Sequence, residues 1–314
     1  MKKLTGAIFA LALLLFSGCS SGDKDPLQFE AFTIATGEEI TGLDFISNSD
    51  GCAVTASGSI LRTSDGGKSF LAVGNSGGKR LEDIYFLDDE IGLVCGEKGA
   101  LLRSIDGGAT WTTLTADSAW DLVSIGFPDD EVGFIVGNYN MGEFAGMGVI
   151  GRSTDKGLIW NFAKTEYTEL HYIDVVPHEH AWVLGREALV YTTDGGQVWE
   201  HAASRIPGIN ALLFMDIQRG WEVGDNGLLR YSSDGGWSWQ DKLKMTDESL
   251  TCLAIPEPDI VYIAGNSFLA VSVNHGRNWV MDTVSHKFRF VDIDAVDHVV
   301  FAAGSGGQLI KLKY

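Results

Sequence analysis

A short sequence phrase recurs six times in this chain. The copies read RTSDGGKSF, RSIDGGATW, RSTDKGLIW, YTTDGGQVW, YSSDGGWSW and VSVNHGRNW, centred on Asp65, Asp106, Asp155, Asp194, Asp234 and Asn274. Successive copies lie 41, 49, 39, 40 and 40 residues apart. A period near 40 residues is that of a four-stranded propeller blade. The repeat therefore predicts an all-β propeller.

A second series gives the number of blades. The pattern apolar-x-x-apolar-x-apolar occurs seven times, beginning at Ile40, Leu81, Leu122, Leu170, Ile209, Leu250 and Phe288. Between these positions, short apolar runs alternate with turns rich in Gly and Asp, which is typical of antiparallel hairpins. The seventh unit supplies only three strands, whereas LQFEAFTIAT at residues 27–36 has the pattern of one more strand. We expect that strand to pair with the C-terminal blade and to close a single seven-bladed ring over residues 27–314.

The repeated phrase itself has the chemistry of a structural turn. Its glycines tolerate positive φ, and its Asp can accept hydrogen bonds from nearby backbone N–H groups. The Ser or Thr two residues earlier can tie the same turn, and the Trp or Phe that follows can pack between blades. Since catalytic sites do not come in six equal copies, we interpret the six turns as structural.

The phrase resembles the Asp box, or bacterial neuraminidase repeat, Ser/Thr-x-Asp-x-Gly-x-x-Trp/Phe. Longer stretches such as IYFLDDEIGLVCGEKGALLRSIDGGATW resemble the photosystem II stability and assembly factor family of seven-bladed propellers. That resemblance implies a non-enzymatic protein that binds a membrane-protein subunit, although it does not identify the partner here. The family's basic patch has a possible counterpart in Arg62, Arg103, Arg152 and Arg230. The alternative is that each arginine covers its blade's tryptophan or pairs with an acid.

The N-terminus has the features of an export signal. Residues 1–18 carry two lysines, then an apolar run that is short for a membrane span, then small residues before Cys19. FSGC resembles the bacterial lipobox, in which the cysteine receives lipid. We therefore expect a signal peptide at residues 1–18, a lipidated Cys19 with a flexible tether over residues 19–26, and a location at the cell envelope. An ordinary cleaved signal with an incidental Cys19 is the alternative.

The charge and the cysteines exclude several classes of function. Removal of residues 1–18 leaves 21 Lys and Arg against 42 Asp and Glu, a net charge of −21, which disfavours nucleic acid and anionic lipid as partners. Cys52, Cys95 and Cys252 lack the spacing of a zinc site or a disulfide framework, so we predict small buried residues. HEH at His178–His180 lies in a predicted turn without an evident third ligand. We expect no metal and no cofactor.

An enzyme related to sialidases is the main alternative. Such enzymes carry an arginine in an Arg-Ile-Pro tripeptide before the first box, whereas here RIP begins at Arg205, after four boxes. Other glycosidases need two carboxylates across a cleft, and the sequence does not single out a pair. We therefore predict no catalytic residues and keep a carbohydrate-active or carbohydrate-binding propeller as the second hypothesis.

One irregular unit indicates where a partner binds. It is 49 residues long because of GNYNMGEFAGMGVIG, which falls between its second and third strands. Aromatic, Met and Arg side chains are typical of interaction surfaces. We predict a partner-binding surface, for an envelope or membrane protein, from Arg80, Trp120, Tyr139, Met141, Phe144, Met147, Arg205 and Arg289. The alternative is that the insertion at residues 138–148 only packs onto its own blade.

The lipid anchor has a direct test. The variant Cys19→Ala should be recovered in the soluble fraction after export, because it lacks the acceptor of the lipid. The measurement is the distribution of protein between membrane and soluble fractions, with the unaltered chain beside it. If the variant stays as firmly membrane-bound as the unaltered chain, Cys19 is not the anchor.

Overall fold

Seven antiparallel sheets of four strands, the blades, make up the part of the chain that the structure describes. The structure is a computed structural model and describes residues 29–34, 37–114, 116–177, 180–186, 188–204, 207–282 and 288–313. Within these ranges no helix is long and apolar enough to cross a membrane. The three short 3-10 turns are Glu97–Gly99, Gly142–Phe144 and Asp225–Gly227.

The strands repeat in a fixed order within each blade. The first strands are β2 (Ile40–Phe45), β6 (Leu81–Phe86), β10 (Trp120–Gly126), β14 (Tyr172–Val176), β18 (Ile209–Phe214), β22 (Leu250–Glu257) and β26 (Phe290–Val296). The second strands are β3 (Gly51–Thr55), β7 (Ile91–Gly96), β11 (Gly133–Tyr139), β15 (His180–Leu184), β19 (Gly220–Gly224), β23 (Ile260–Gly265) and β27 (Val299–Gly304).

The outer strands follow the same order. The third strands are β4 (Ser59–Thr63), β8 (Ala100–Ile105), β12 (Met147–Ser153), β16 (Ala188–Thr192), β20 (Leu228–Ser232), β24 (Phe268–Ser272) and β28 (Gln308–Lys313). The fourth strands are β5 (Leu71–Asn75), β9 (Thr112–Thr113), β13 (Asn161–Thr168), β17 (Glu200–Ser204), β21 (Gln240–Asp241), β25 (Val280–Asp282) and β1 (Phe29–Thr33). We number the blades I to VII, from β2–β5 to β26–β28 with β1.

The core lies between the blades. Seven clusters of buried apolar residues are found, and each combines side chains from two neighbouring blades. Between blades I and II, for example, Cys52 and Ile60 pack with Ile84 and Val94. Because both faces of a blade are covered in this way, short, continuously apolar strands such as GCAVT of β3 are buried along their whole length. The three cysteines are buried and unpaired, as the sequence predicted.

The ring closes by the predicted exchange of strands. β1 pairs antiparallel with β28, with Phe29 opposite Leu312 and Thr33 opposite Gln308, so the fourth strand of blade VII comes from the start of the chain. On the adjoining side, the rings of Phe45 in blade I and Phe301 in blade VII stack with centroids 3.5 Å apart. The seven-bladed fold and its closure are therefore confirmed.

The first strands meet around the axis of the ring and are tied by carboxyl groups. Each first strand contacts the first strands of both neighbouring blades. Carboxylate oxygens on one first strand accept backbone N–H bonds from the next: Asp292 from Leu43, Asp294 from Phe45, Asp44 from Phe86, Asp83 from Ile125 and Asp174 from Phe214. The four contacts other than that of Asp44 span 2.6 to 2.9 Å. We call these five residues the inner aspartates.

Burial changes the acidity of the inner aspartates. It raises the pKa of Asp83 to about 7, of Asp174 to about 8, of Asp292 to about 6 and of Asp294 to about 7. Burial, and then the negative charge of the nearby Asp294, also raise the pKa of Asp44. The loss of hydration at the centre of the ring thus outweighs the N–H bonds that favour the charged form.

Ring closure can be tested by removing its strand. Deleting Phe29–Thr33 should lower the free energy of unfolding by on the order of 3–5 kcal/mol, since it leaves the edge of β28 unpaired and removes a five-residue ladder. The measurement is chemical denaturation followed by circular dichroism. An unchanged midpoint and slope would show that β1 does not hold the ring.

The inner aspartates should make the fold less stable at higher pH. Their raised pKa values mean that between about pH 4 and 8 the folded chain keeps protons that the unfolded chain, with an Asp pKa near 3.9, has released. The free energy of unfolding should therefore fall as the pH rises from about 5 to 8. In Asp174→Asn, this fall should be smaller by about 1 kcal/mol or more.

The control for the pH prediction is Asp241→Asn, which makes the same change of charge at an exposed site on β21. It should keep the pH dependence of the unaltered chain. A free energy of unfolding that increases between pH 5 and 8, or an equal effect of both variants, would contradict the assignment to the inner aspartates.

Candidate functional site

The six repeated turns lie between the third and fourth strands of blades I to VI, on one face of the ring, which we call the box face. In the second copy, the Ser104 hydroxyl donates to Asp106 (2.8 Å), and the backbone N–H groups of Gly108 and Thr110 donate to Ser104 and Asp106. Hydrogen bonds from the hydroxyl and N–H of Thr110 lower the pKa of Asp106. The hydroxyl bond recurs in the pairs Thr63–Asp65, Ser153–Asp155, Thr192–Asp194, Ser232–Asp234 and Ser272–Asn274.

The glycines of a turn allow close contact between blades. Gly107 and Gly108 have φ of 64° and 77°, and a Cβ added at Gly108 would lie 2.6 Å from the Cys52 sulfur of blade I. The Trp111 ring, which follows, packs against the cluster between blades I and II, and its indole N–H donates to the Gly108 carbonyl. The acidic groups of these turns are therefore occupied by hydrogen bonds within the turn, while the glycines and the tryptophan make the contact between blades.

The arginines that precede the turns reach into the next blade. The Nε groups of Arg62, Arg103 and Arg152 donate to the carbonyls of Gly107, Lys156 and Gly195, each in the turn of the following blade. Arg230 forms a buried ion pair with Glu222, and its guanidinium lies 5.8 Å from the Trp239 ring. This geometry favours the packing interpretation of the arginines over that of a basic patch.

The opposite face carries the links into the first strands and the turns between second and third strands, and we call it the loop face. Local contacts bring these segments together: the Lys98 N–H donates to Asp121, the Asn140 N–H to the Ala119 carbonyl, and the Glu97 N–H to the Arg80 carbonyl. Arg80 and Trp120, which begin or precede first strands, therefore lie on this face together with the insertion of blade III.

On the loop face, blade III presents a cluster of aromatic rings. The Tyr139 centroid lies 6.3 Å from that of Trp120 and 6.0 Å from that of Phe144, while Phe162 on β13 lies 4.4 Å from Trp120. The Lys164 ammonium, also on β13, is 3.5 Å from the Phe144 centroid and 4.9 Å from that of Tyr139. We call these five residues the blade III cluster.

The cluster is only partly covered by its own blade. The Phe144 side chain is 37 % exposed and that of neighbouring Met141 is 57 % exposed. Three of the five members, Trp120, Tyr139 and Phe144, were predicted from the sequence, whereas Phe162 and Lys164 were not. One feature of the sequence could have indicated these two residues. The alternating run NFAKTEYT is long for a fourth strand, and it forms the eight residues of β13 beside the insertion.

The other predicted residues are distributed differently. Met147 is half-buried within β12, opposite Thr168, so the insertion ends before it. Arg80 forms an ion pair with Glu82 at 2.8 Å. Arg289 is exposed at the entry to blade VII, on the opposite side of the ring from blade III, and forms a bridge with Asn266. Arg205, Cys19 and His178 lie outside the described residues.

A polar cavity was not foreseen from the sequence. It has a volume of about 540 Å³, opens on the loop face at blade V, and is lined by residues that include Pro207, Asp225, Asp241, Lys242 and Lys244. The Lys242 ammonium lies 4.9 Å from the Tyr231 centroid. Within the described residues, no group of three or more His, Cys, Asp or Glu side chains could hold a metal ion.

Comparisons with known proteins agree on the fold. No family model matches the sequence, and no curated protein matches it significantly. Among solved structures, "YCF48 bound to D1 peptide" has a TM-score of 0.76 at 20 % identity, over 94 % of this chain and 99 % of that one. YCF48 from Cyanidioschyzon merolae has a TM-score of 0.74 at 17 % identity, over 91 % and 98 %.

A third structural neighbour is an enzyme. Virginiamycin B lyase from Staphylococcus aureus has a TM-score of 0.75 at 11 % identity, over 92 % of this chain and 99 % of that one. The fold is therefore that of seven-bladed propellers such as YCF48 and virginiamycin B lyase. At these identities the similarity shows the fold, and that fold is the one that the resemblance in sequence implied.

Proposed function

We propose that this chain is a non-enzymatic propeller that binds a protein partner through the blade III cluster on its loop face. The proposal rests on one observation, the cluster of aromatic rings in the blade that has the long insertion. Phe144 in this cluster and the neighbouring Met141 are exposed to solvent. Aromatic and Met side chains are enriched in protein interfaces, and aromatic residues among them are frequent hot spots. The structural neighbour that was solved with a D1 peptide supports binding of a membrane-protein segment.

We further propose that the chain is exported and is held at the membrane by a lipid on Cys19. The chain enters β1 from the box face, because Phe29 lies opposite Leu312 near the end of β28. A lipidated Cys19 would be joined to β1 by residues 19–28, which reach at most about 35 Å when extended. Such an anchor would leave the loop face free for a partner in the cell envelope. We therefore propose a role in assembling an envelope complex.

The proposal is tested by replacing the exposed insertion. Replacement of residues 141–146 by a Gly/Ser link of equal length should leave the melting temperature nearly unchanged, because the segment lies outside the strands. It should abolish recovery of the partner in affinity purification from envelope extracts, since each lost hot-spot side chain costs on the order of 2 kcal/mol. The control is Leu243→Ser, which removes an exposed apolar residue in blade V.

Two outcomes would contradict the proposal. If the replaced chain folds and recovers the same partner as strongly as the control, the blade III cluster is not the binding site. If neither chain recovers a protein partner while both bind defined sugars on a glycan array, the carbohydrate-binding hypothesis is correct instead.

A further inference from the structure

The turns of the box face expose apolar side chains in five consecutive blades. These residues, which we call the apolar arc, are Ile105, Leu158, Ile159, Val198, Trp237 and Val273, and they lie on blades II to VI. Ile105, Ile159 and Trp237 are 66 %, 63 % and 55 % exposed. Single exposed apolar residues are common on soluble proteins, whereas their recurrence in successive turns of one face points to an interaction surface.

The fold does not require apolar side chains at these positions. The hydrogen bonds of each turn use the Ser or Thr hydroxyl, the Asp or Asn side chain and the backbone. In blade I, Ser64 and Lys68 occupy the positions that Ile105 and Leu158 occupy in blades II and III. Polar residues thus fit the same turn, so the arc is not explained by folding.

Acidic side chains lie beside the arc. The Gly107 N–H donates to the Glu90 carbonyl and the Lys156 N–H to the Glu131 carbonyl, so each turn abuts the link between the first and second strands of its own blade. In blade II this link exposes Asp88, Asp89 and Glu90, and in blade III it exposes Asp130 and Glu131. The surface therefore combines apolar contact area with negative charge.

We propose that the apolar arc binds a protein segment that carries both basic and apolar side chains. Lysine and arginine would complement the acidic links, while the apolar side chains would cover the arc. An anionic bilayer and a second copy of this strongly acidic chain are disfavoured, because both would place negative charge against negative charge. The surface lies on the opposite face from the blade III cluster and does not depend on the function proposed there.

Two synthetic peptides test the apolar and the charged contribution separately. One consists of lysine and leucine, and in the other serine replaces every leucine. Two triple variants are compared with the unaltered chain: Ile105→Ser/Ile159→Ser/Trp237→Ser in the arc, and Leu71→Ser/Leu243→Ser/Met281→Ser outside it. The control positions are 74 %, 77 % and 54 % exposed, so both triples remove equally accessible apolar residues.

The unaltered chain and the control triple should bind the lysine–leucine peptide about tenfold or more tightly than the lysine–serine peptide, and the arc triple should lose that difference. In Asp89→Asn/Glu90→Gln, both peptides should bind more weakly at low salt. Melting temperatures verify that every variant folds.

Equal affinities of the arc and control triples for the lysine–leucine peptide would overturn the proposal. So would concentration-dependent dimerisation that only the arc triple abolishes, which would assign the arc to a second copy. Binding of the unaltered chain, but not of the arc triple, to phosphatidylcholine or phosphatidylglycerol vesicles would assign the arc to a lipid surface instead.

Discussion

The hydrogen bonds that the inner aspartates accept from the next first strand set the relation between neighbouring blades at four junctions of the ring, VII–I, I–II, II–III and IV–V. Each blade is a separate sheet, so the blades are held to one another by side chains and by a few backbone hydrogen bonds, such as that from the Arg186 N–H to the Thr168 carbonyl. Apolar contacts are not directional, whereas a carboxylate such as that of Asp83, which accepts the Ile125 N–H at 2.8 Å, fixes the height of one strand against its neighbour. Once the first strands are in register, the positions of the turns on both faces of the ring are determined as well. The cost is the burial of carboxyl groups, which appears in their raised pKa values.

The fold could be predicted because its determinants are local. In each repeated turn, the groups that bond to one another lie within a few residues, as Ser104, Asp106 and Thr110 do. Such a turn can be recognised from a short stretch of sequence alone, and the spacing between successive turns gives the number of residues in a blade. The seventh apolar pattern is not followed by a repeated turn, so the seventh blade needed a fourth strand from elsewhere in the chain. In the structure, β1 is that strand. Strand lengths are less predictable: the fourth strand of blade II, β9, has only two residues, whereas that of blade III, β13, has eight.

The contacts between blades could not be predicted, because their partners are far apart in sequence. The Arg62 side chain donates to the carbonyl of Gly107, 45 residues later. Any residue can supply a backbone carbonyl, so the sequence does not show which residue accepts this bond. The same limit applies to the candidate site. Tyr139 and Phe144 were predicted because an insertion interrupts the period, and Trp120 because it lies on a link into a first strand of the same face. Phe162 and Lys164 belong to a strand whose only unusual feature in the sequence is its length, and the fold brings them to the cluster.

The repeated turn separates residues that hold the fold from residues that face solvent. Its hydroxyl, carboxylate and glycine positions are constrained by hydrogen bonds and by close contact with the previous blade. The positions between them, such as Ile105, have no such role and can vary without loss of the turn. The loop face has a comparable freedom, since an insertion in blade III lengthens one turn without disturbing the strand order. A ring built in this way can therefore change either surface while its blades stay in place. The same architecture is found in YCF48 and in virginiamycin B lyase, which are 20 % and 11 % identical to this chain, as expected for a ring whose surfaces vary independently of its blades.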